Sequence, residues 1–241
     1  MLLENYKENG FCLIRNALSK NKIKKTRSEI FLPFSKLIGN NKIYDCNLFE
    51  LFNNNFEAYC SCAKITHQIP SVHKLGLSNK VLGFIKNELN LEFPVINTRP
   101  VILFSSKHLA KHHFYWKSNA HQDSAIMQGS TDAVIVWIPL CKISEKLGYL
   151  QVVPKSHKLG ILEHKKNGPS KEIEKEIPDE DFVEIKMNMG DILFFSSNLI
   201  HRSGNNISKK IRLTVSYRFD NLLNENYIKE SYPIGFEYVM K

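Results

Sequence analysis

The spacing of apolar residues changes from helical to strand-like at about position 90. Between residues 18 and 90 the apolar side chains recur three or four positions apart, which predicts amphipathic helices packed on a core. Ser19 and Ser78 are expected to be N-caps, and a separate stripe covers residues 47–66. The apolar positions of these three stripes are Ile23, Ile30, Phe31, Phe34, Leu48, Leu51, Phe52, Phe56, Tyr59, Ala63, Val81, Leu82, Ile85 and Leu89.

Short apolar runs bounded by turn residues make up most of the chain after residue 93. The clearest runs are VINTRPVILF, AVIVWIPL, GYLQVVP, FVEIKM, DILFFSS and IRLTVSYRF. One further short strand is expected within residues 8–16, after a glycine turn. Since no long helix separates these runs, they favour an antiparallel sandwich or jelly roll over βαβ units. We therefore predict a mainly β fold with flanking helices, in one domain that covers residues 1–241.

Within that domain, helices are expected at about 18–90 and a jelly-roll core at about 93–222. Residues 163–181 interrupt the core with a charged segment that contains glycine and proline. Such a composition is typical of an exposed loop, and a loop at this place could also act as a lid.

Composition narrows the choice of partners only a little. The 241 residues are 43% apolar and 24% charged, and the formal net charge is +9. A basic balance favours anionic partners in general, although lysines spread along the whole chain are also explained as solvated surface residues. No stretch interleaves aromatic and basic residues as nucleic-acid-binding segments do, which argues against a nucleic-acid partner.

The five cysteines are scattered, and Cys60 and Cys62 are too close together for a usual zinc site. We interpret them as reduced thiols. The chain start lacks the pattern of a signal peptide, and no run of about 18 apolar residues predicts a membrane span. The expected location is therefore the cytoplasm.

His121 and Asp123 form the first candidate metal site. If this segment is an extended strand, residues two apart point to the same side, so an imidazole and a carboxylate face one point. His201, which follows the strand GDILFFSS, is the best candidate for a third ligand. Two histidines and one carboxylate are the ligand set of non-haem Fe(II) oxygenases. An isolated His-x-Asp also arises often by chance.

Arg212 gives the site a second part. It lies eleven residues after His201 and begins a strand whose polar and apolar residues alternate. Arginine binds carboxylates through two parallel hydrogen bonds, so a dicarboxylate could span the metal and this side chain. Taken alone, Arg212 is equally well explained as a surface residue. The polar face of the strand carries Arg212, Thr214, Ser216 and Arg218, and the other face carries Leu213, Val215, Tyr217 and Phe219.

Motifs in several parts of the chain resemble the phytanoyl-CoA dioxygenase family of Fe(II)/2-oxoglutarate oxygenases. They are AHQD at 120–123, VIVWIPL at 134–140, GYLQVVPKSHK at 148–158 and GDILFFSSNLIHRSGNN at 190–206. The resemblance extends from ENGFCLIRNALS near the N-terminus to YRFDN at residue 221. It implies a double-stranded β-helix, a cupin-like jelly roll, with helices before it.

The resemblance also implies roles for individual residues. It gives the iron-ligand role to His121, Asp123 and His201. It implies that Arg212 binds the carboxylate of 2-oxoglutarate that is distant from the metal. Ser203 is a second contact of this carboxylate, and Thr214 is a weaker candidate. Substrate contacts are expected among Gln122, Arg99, His113, Tyr115, Trp116 and Trp137.

These expectations define a reaction class. Iron, 2-oxoglutarate and O2 would together hydroxylate a small metabolite, with release of succinate and CO2. Because Asp123 is present, we do not expect halogenation, since related halogenases have a small residue there. The alternatives are desaturation, ring closure or epimerisation by the same oxidant, a metal-binding jelly roll without turnover, and hydroxylation of a nucleic acid or protein.

Overall fold

The computed structural model describes residues 2–110, 117–167 and 170–233. Among these residues, no helix has the length and hydrophobicity that crossing a bilayer requires. The α-helices are α1 (Leu2–Asn9), α2 (Lys20–Ile38), α3 (Asp45–Asn54), α4 (Phe56–Thr66), α5 (Pro70–Gly76), α6 (Asn79–Asn87), α7 (Ser124–Met127) and α8 (Glu225–Lys229). The strands are β1 (Phe11–Ile14), β2 (Pro94–Ile96), β3 (Val101–Ser105), β4 (Val134–Pro139), β5 (Leu150–Val152), β6 (His164–Asn167), β7 (Ser170–Ile173), β8 (Val183–Ile185), β9 (Ile192–Ser196), β10 (His201–Ser203) and β11 (Arg212–Asn221).

Two antiparallel sheets carry the core. The larger has the order β1-β9-β4-β11-β2, and β3 also pairs with β11. The smaller has the order β10-β5-β8. A third, two-stranded sheet is the hairpin of β6 and β7. This arrangement, with helices before the sheets, confirms the predicted mainly β class.

Residues of the larger sheet point alternately to two apolar clusters. In β4, Val134, Val136 and Ile138 pack with the helices, whereas Ile135 and Trp137 face the smaller sheet. Strand β11 follows the same rule, because its four apolar residues join the helical cluster. Its opposite face, which begins with Arg212, is therefore directed between the sheets, as the alternation predicts.

The helical region departs from the prediction at two places. The stripe at 47–66 forms two helices, α3 and α4, because the chain turns at Asn55. The Asn55 side chain accepts a hydrogen bond from the Ala58 N–H at 3.1 Å and so caps α4. Helix α1 was not predicted, and none of its residues is buried.

The expectation of an exposed loop at 163–181 is wrong for its first half. The hairpin of β6 and β7 packs on the segment that contains His121. Ile173 is buried, and its N–H donates to the Ala120 carbonyl at 2.9 Å. Lys171 Nζ donates to the Ala125 carbonyl at 2.7 Å. Because the outer face of the hairpin carries charged residues, the sequence of this segment lacks the apolar run by which a strand is recognised.

His67 joins the helical layer to the start of β3. Its ring is 8% exposed, and Nδ1 donates to the Pro100 carbonyl at 2.8 Å. Burial, followed by repulsion from Arg99, lowers the pKa of His67 from 6.5 to about 4. The neutral imidazole thus fixes the chain one residue before β3 begins.

We expect this histidine to make folding pH-dependent. Its pKa is lower in the folded protein than in the unfolded chain, so its contribution is present above pH 6.5 and is lost as the pH falls towards 4. Between pH 7 and pH 5 the loss should be about 2 kcal/mol. Urea unfolding of His67→Asn at both pH values should show a smaller pH dependence by that amount. His108→Asn, at an exposed position, should leave the dependence unchanged.

Candidate metal centre

A reciprocal backbone pair brings His121 and His201 together. The N–H of each residue donates to the carbonyl of the other, both at 3.0 Å. Directly opposed residues of an antiparallel pair project their side chains to the same side. The two imidazole rings therefore lie with their centroids 4.1 Å apart. His201 begins strand β10.

Asp123 reaches the same point by a different route from the one predicted. It is not in a strand: it is the N-cap residue of α7 and has helical backbone angles, with φ −63° and ψ −35°. Only His121 of this motif takes part in the bridge, and the chain turns immediately after it. The turn directs Asp123 Oδ2 towards His201 Nε2, at 3.7 Å. The expectation that a strand presents both side chains is therefore corrected.

Both imidazole rings are oriented for metal binding. Nδ1 of His121 donates to the Asn119 carbonyl at 2.7 Å, and Nδ1 of His201 donates to the Leu199 carbonyl at 3.0 Å. Since a carbonyl oxygen can only accept, Nδ1 carries the proton and Nε2 keeps its lone pair in the neutral ring. Burial, and then the nearby His121, lower the pKa of His201 to about 3. His201 is therefore neutral at physiological pH.

The potential ligand atoms of the three buried residues lie within 4.8 Å of one another. Two neutral imidazole nitrogens and one carboxylate oxygen form the donor set that non-haem Fe(II) prefers. The residues present thus fit an iron ion.

Arg218 holds the carboxylate, and the sequence analysis gave it no part in the site. Its Nη2 and Nε donate to Asp123 Oδ1 at 2.9 and 3.3 Å. Burial alone would raise the pKa of Asp123, but Arg218 and the two histidines outweigh it, and the pKa falls to about 2. Because Oδ1 is taken, Oδ2 is the oxygen left for a metal. The alternation of β11 did predict that Arg218 points inwards.

Gln122 has a different role from the expected substrate contact. It is fully buried, and its amide Nε2 donates to the Gly160 and Asn198 carbonyls at 2.7 and 2.6 Å. Its Oε1 accepts from the Leu162 N–H at 2.8 Å. These bonds fasten the segment between the two candidate ligands to neighbouring loops, and they use both N–H groups of the amide.

Arg212 is a buried cation that suits an anionic ligand. It is 2% exposed, and its Nη1 and Nη2 donate to the Gly148 carbonyl and Ser105 Oγ at 2.7 and 3.3 Å. Its Nε has no hydrogen-bond partner, and no carboxylate pairs with it among the described residues. Burial lowers the pKa of Arg212 to about 10, so it stays protonated at neutral pH. An unpaired buried charge is costly, so a bound carboxylate would stabilise this site.

One cavity of about 140 Å³ connects the candidate metal ligands with Arg212. Ser203, predicted from the sequence to contact the cosubstrate, and Trp137, predicted to contact the substrate, both line this cavity. Thr214 is buried on the same strand face as Arg212 but is not among the lining residues, and Arg99 is exposed outside the cavity. The predicted contacts His113, Tyr115 and Trp116 lie outside the described residues. The apolar wall of the cavity includes Leu103, Ile135, Leu150 and Phe195.

Comparison with known proteins identifies relatives of this chain. The family model for phytanoyl-CoA dioxygenase matches residues 6–214. A methylphosphonate hydroxylase of Gimesia maris is 31% identical over 134 residues, which are 55% of this chain and 50% of that protein. The matched part of the chain thus spans about half the length of this curated relative.

Solved structures share the fold at low sequence identity. The apo form of the non-haem monooxygenase ThoJ superposes with a TM-score of 0.66 at 17% identity, over 92% of this chain and 77% of that one. The epimerase SnoN, in complex with Fe3+, α-ketoglutarate and nogalamycin RO, gives a TM-score of 0.63 at 16% identity, over 91% and 82% of the two chains. Both comparisons support the jelly-roll architecture.

Replacing Gln122 by leucine should loosen the candidate metal centre. The substitution leaves two carbonyls and one N–H without partners, which should lower the free energy of unfolding by at least about 2 kcal/mol. Support groups around metal ligands typically change metal affinity by about 10–100-fold. We expect weaker Co(II) binding in a titration followed by absorbance. Gln68→Leu, at an exposed position, is the control and should match the wild type; equal Co(II) affinity of the two variants would contradict this role of Gln122.

Proposed function

The chain belongs to the phytanoyl-CoA dioxygenase family of Fe(II)- and 2-oxoglutarate-dependent oxygenases, and we propose that it hydroxylates a small metabolite while 2-oxoglutarate is converted to succinate and CO2. The observation that carries this proposal is the convergence of His121, Asp123 and His201 on one point. A metal at this point would keep open positions for a bidentate cosubstrate and for O2.

The proposed roles follow from the hydrogen bonds around each residue. Nε2 of both histidines and Oδ2 of Asp123 would hold the iron, since their other polar atoms are already bonded. When bound, iron supplies the oxidation of a C–H bond by O2, with 2-oxoglutarate as the second source of electrons. One oxygen atom of O2 enters the succinate and the other enters the product, so the reaction balances without a further reductant.

Arg212 and Ser203 would hold the far carboxylate of 2-oxoglutarate. The unpartnered Nε of Arg212 supports this role, since a carboxylate can accept from Nε and from one terminal nitrogen of the same guanidinium. Ser203 follows His201 by two residues in β10 and lines the same cavity. The apolar side chains of Trp137 and Leu150 would exclude water around the cosubstrate.

Hydroxylation is the outcome that the relatives favour, because the curated relative is named a hydroxylase. The epimerase SnoN illustrates that a protein with this fold can have another oxidative outcome. The intact Asp123 argues against a jelly roll without turnover, and so does Arg212, with which no carboxylate pairs in the part of the chain that the structure describes. Mass spectrometry of a turned-over substrate separates the outcomes, since only hydroxylation adds one oxygen atom.

His121→Ala should abolish both metal binding and turnover. The substitution removes one of three proposed ligands, so the purified protein should retain almost no Fe(II) after dialysis. The measurements are the iron content and the slow succinate release that occurs without substrate. His108→Ala removes an exposed imidazole and should behave as the wild type; normal iron content in His121→Ala would refute the proposed ligand set.

Arg212→Lys should mainly raise the requirement for 2-oxoglutarate. Lysine keeps the charge but loses the two parallel hydrogen bonds, so the apparent KM for 2-oxoglutarate should rise at least about tenfold. The kcat should change less, because the iron ligands are untouched. Arg27→Lys, in the helical layer, is the matched control. An unchanged KM in Arg212→Lys would show that the cosubstrate binds elsewhere.

A further inference from the structure

A second guanidinium group reaches the cavity from the same strand as Arg212. Arg212 and Arg218 are six positions apart in β11, which separates their Cα atoms by about 20 Å. Both side chains line the cavity, and Arg218 is the one that contacts Asp123. The cosubstrate anchor therefore lies at one end of the cavity, and Arg218 lies at the end beside the metal.

Arg218 has hydrogen-bonding capacity that the protein does not use. A guanidinium has five N–H donors. Nε and one N–H of Nη2 bind Asp123, and one N–H of Nη1 binds Ser216 Oγ at 3.3 Å. Among the contacts of the described residues, two donors remain, one on each terminal nitrogen. Neighbouring donors of this kind match the two oxygens of an oxyanion.

Arg218 lies nearer to solvent than Arg212 does, at the end of the cavity where a substrate would enter. The cavity volume of about 140 Å³ is below the ~300–1,000 Å³ of usual ligand pockets. A five-carbon diacid between the metal and Arg212 would fill the inner part. The side chain of Arg218 is 16% exposed, whereas Arg212 is 2% exposed as a residue. A substrate that approaches from solvent would thus meet Arg218 first.

The charges in the cavity also favour an anion. The charged side chains that line it are Asp123, Arg212 and Arg218, because histidines that bind a metal through a ring nitrogen are neutral. Fe(II) and two guanidinium groups bring four positive charges, and Asp123 with dianionic 2-oxoglutarate brings three negative ones. One positive charge is left, and in a site of low polarity an anion stabilises it.

We propose that Arg218 binds an oxyanion of the substrate through its two unused N–H groups, so that the substrate is a small metabolite carrying a carboxylate or a tetrahedral oxyanion. This inference rests on the proposed function, because the substrate must lie next to the iron. It gives Arg218 two tasks: positioning Asp123 and selecting the charge of the substrate.

The test compares anions with neutral molecules of the same shape. Acetate is paired with acetamide, and methanesulfonate is paired with methanesulfonamide. Each is titrated by calorimetry, without oxygen, into the protein loaded with Fe(II) and saturated with 2-oxoglutarate. We expect at least one anion to bind about tenfold or more tightly than its neutral partner. The pair that shows the difference identifies the oxyanion as planar or tetrahedral.

Variants then assign the effect to Arg218. Arg218→Lys keeps the charge and loses the paired donors, and it should bind the anion at least about tenfold more weakly while retaining iron. Arg218→Gln also loses the charge and should bind no more tightly than Arg218→Lys. Arg27→Gln removes the same charge from the helical layer and should bind as the wild type. Wild-type-like anion binding in both Arg218 variants would overturn the inference.

Two further results separate the possible failures. If both Arg218 variants lose iron, the test relies on the titrations of the wild-type protein. Equal binding of the anions and of their neutral partners by the wild type would then overturn the inference. The visible charge-transfer band of the Fe(II)–2-oxoglutarate complex is recorded in the same samples. A wild-type protein that binds Fe(II) but never forms this band contradicts the proposed function, whereas a normal band without anion preference contradicts only the role of Arg218.

Discussion

Two backbone hydrogen bonds between His121 and His201 determine where the chemistry of this protein can take place. They join a loop segment to the first residue of β10, and so bring together two residues that are 80 positions apart in the chain. Flexible side chains alone would not hold two imidazole rings next to each other, because each ordered side chain loses conformational entropy. Here the backbone bridge sets the distance between the two residues, and one hydrogen bond from Nδ1 fixes the orientation of each ring.

The remaining architecture supports this pair from three sides. The hairpin of β6 and β7 covers the segment before His121, and Gln122 ties the segment after it to two loops. Strand β11 contributes both guanidinium groups from one face, while its other face packs on the helices. The polar centre is therefore surrounded by elements whose positions are set by apolar packing, which keeps several buried polar groups in a defined geometry.

Sequence patterns predicted the parts of the fold that rest on periodicity. The strands β4 and β9 were recognisable as short apolar runs, and β11 was recognisable by its alternating polar and apolar residues, from which the inward face of Arg212 followed. The hairpin at 164–173 was missed, since only Ile173 of it is a buried apolar residue. The turn at Asp123 was missed because the same three letters fit a strand equally well. The contact between Arg218 and Asp123 joins residues 95 positions apart, and no local pattern encodes it.

The inward face of β11 also makes the molecule sensitive to strand slippage in an all-or-none way. A shift of one residue against β4 would carry Leu213 and Tyr217 into the centre and push the charged residues into the helical layer. The same shift would displace both Arg212 and Arg218. A misaligned chain would therefore lose its activity and its core packing together. A shift of β11 cannot displace one of the two arginines and leave the other in place.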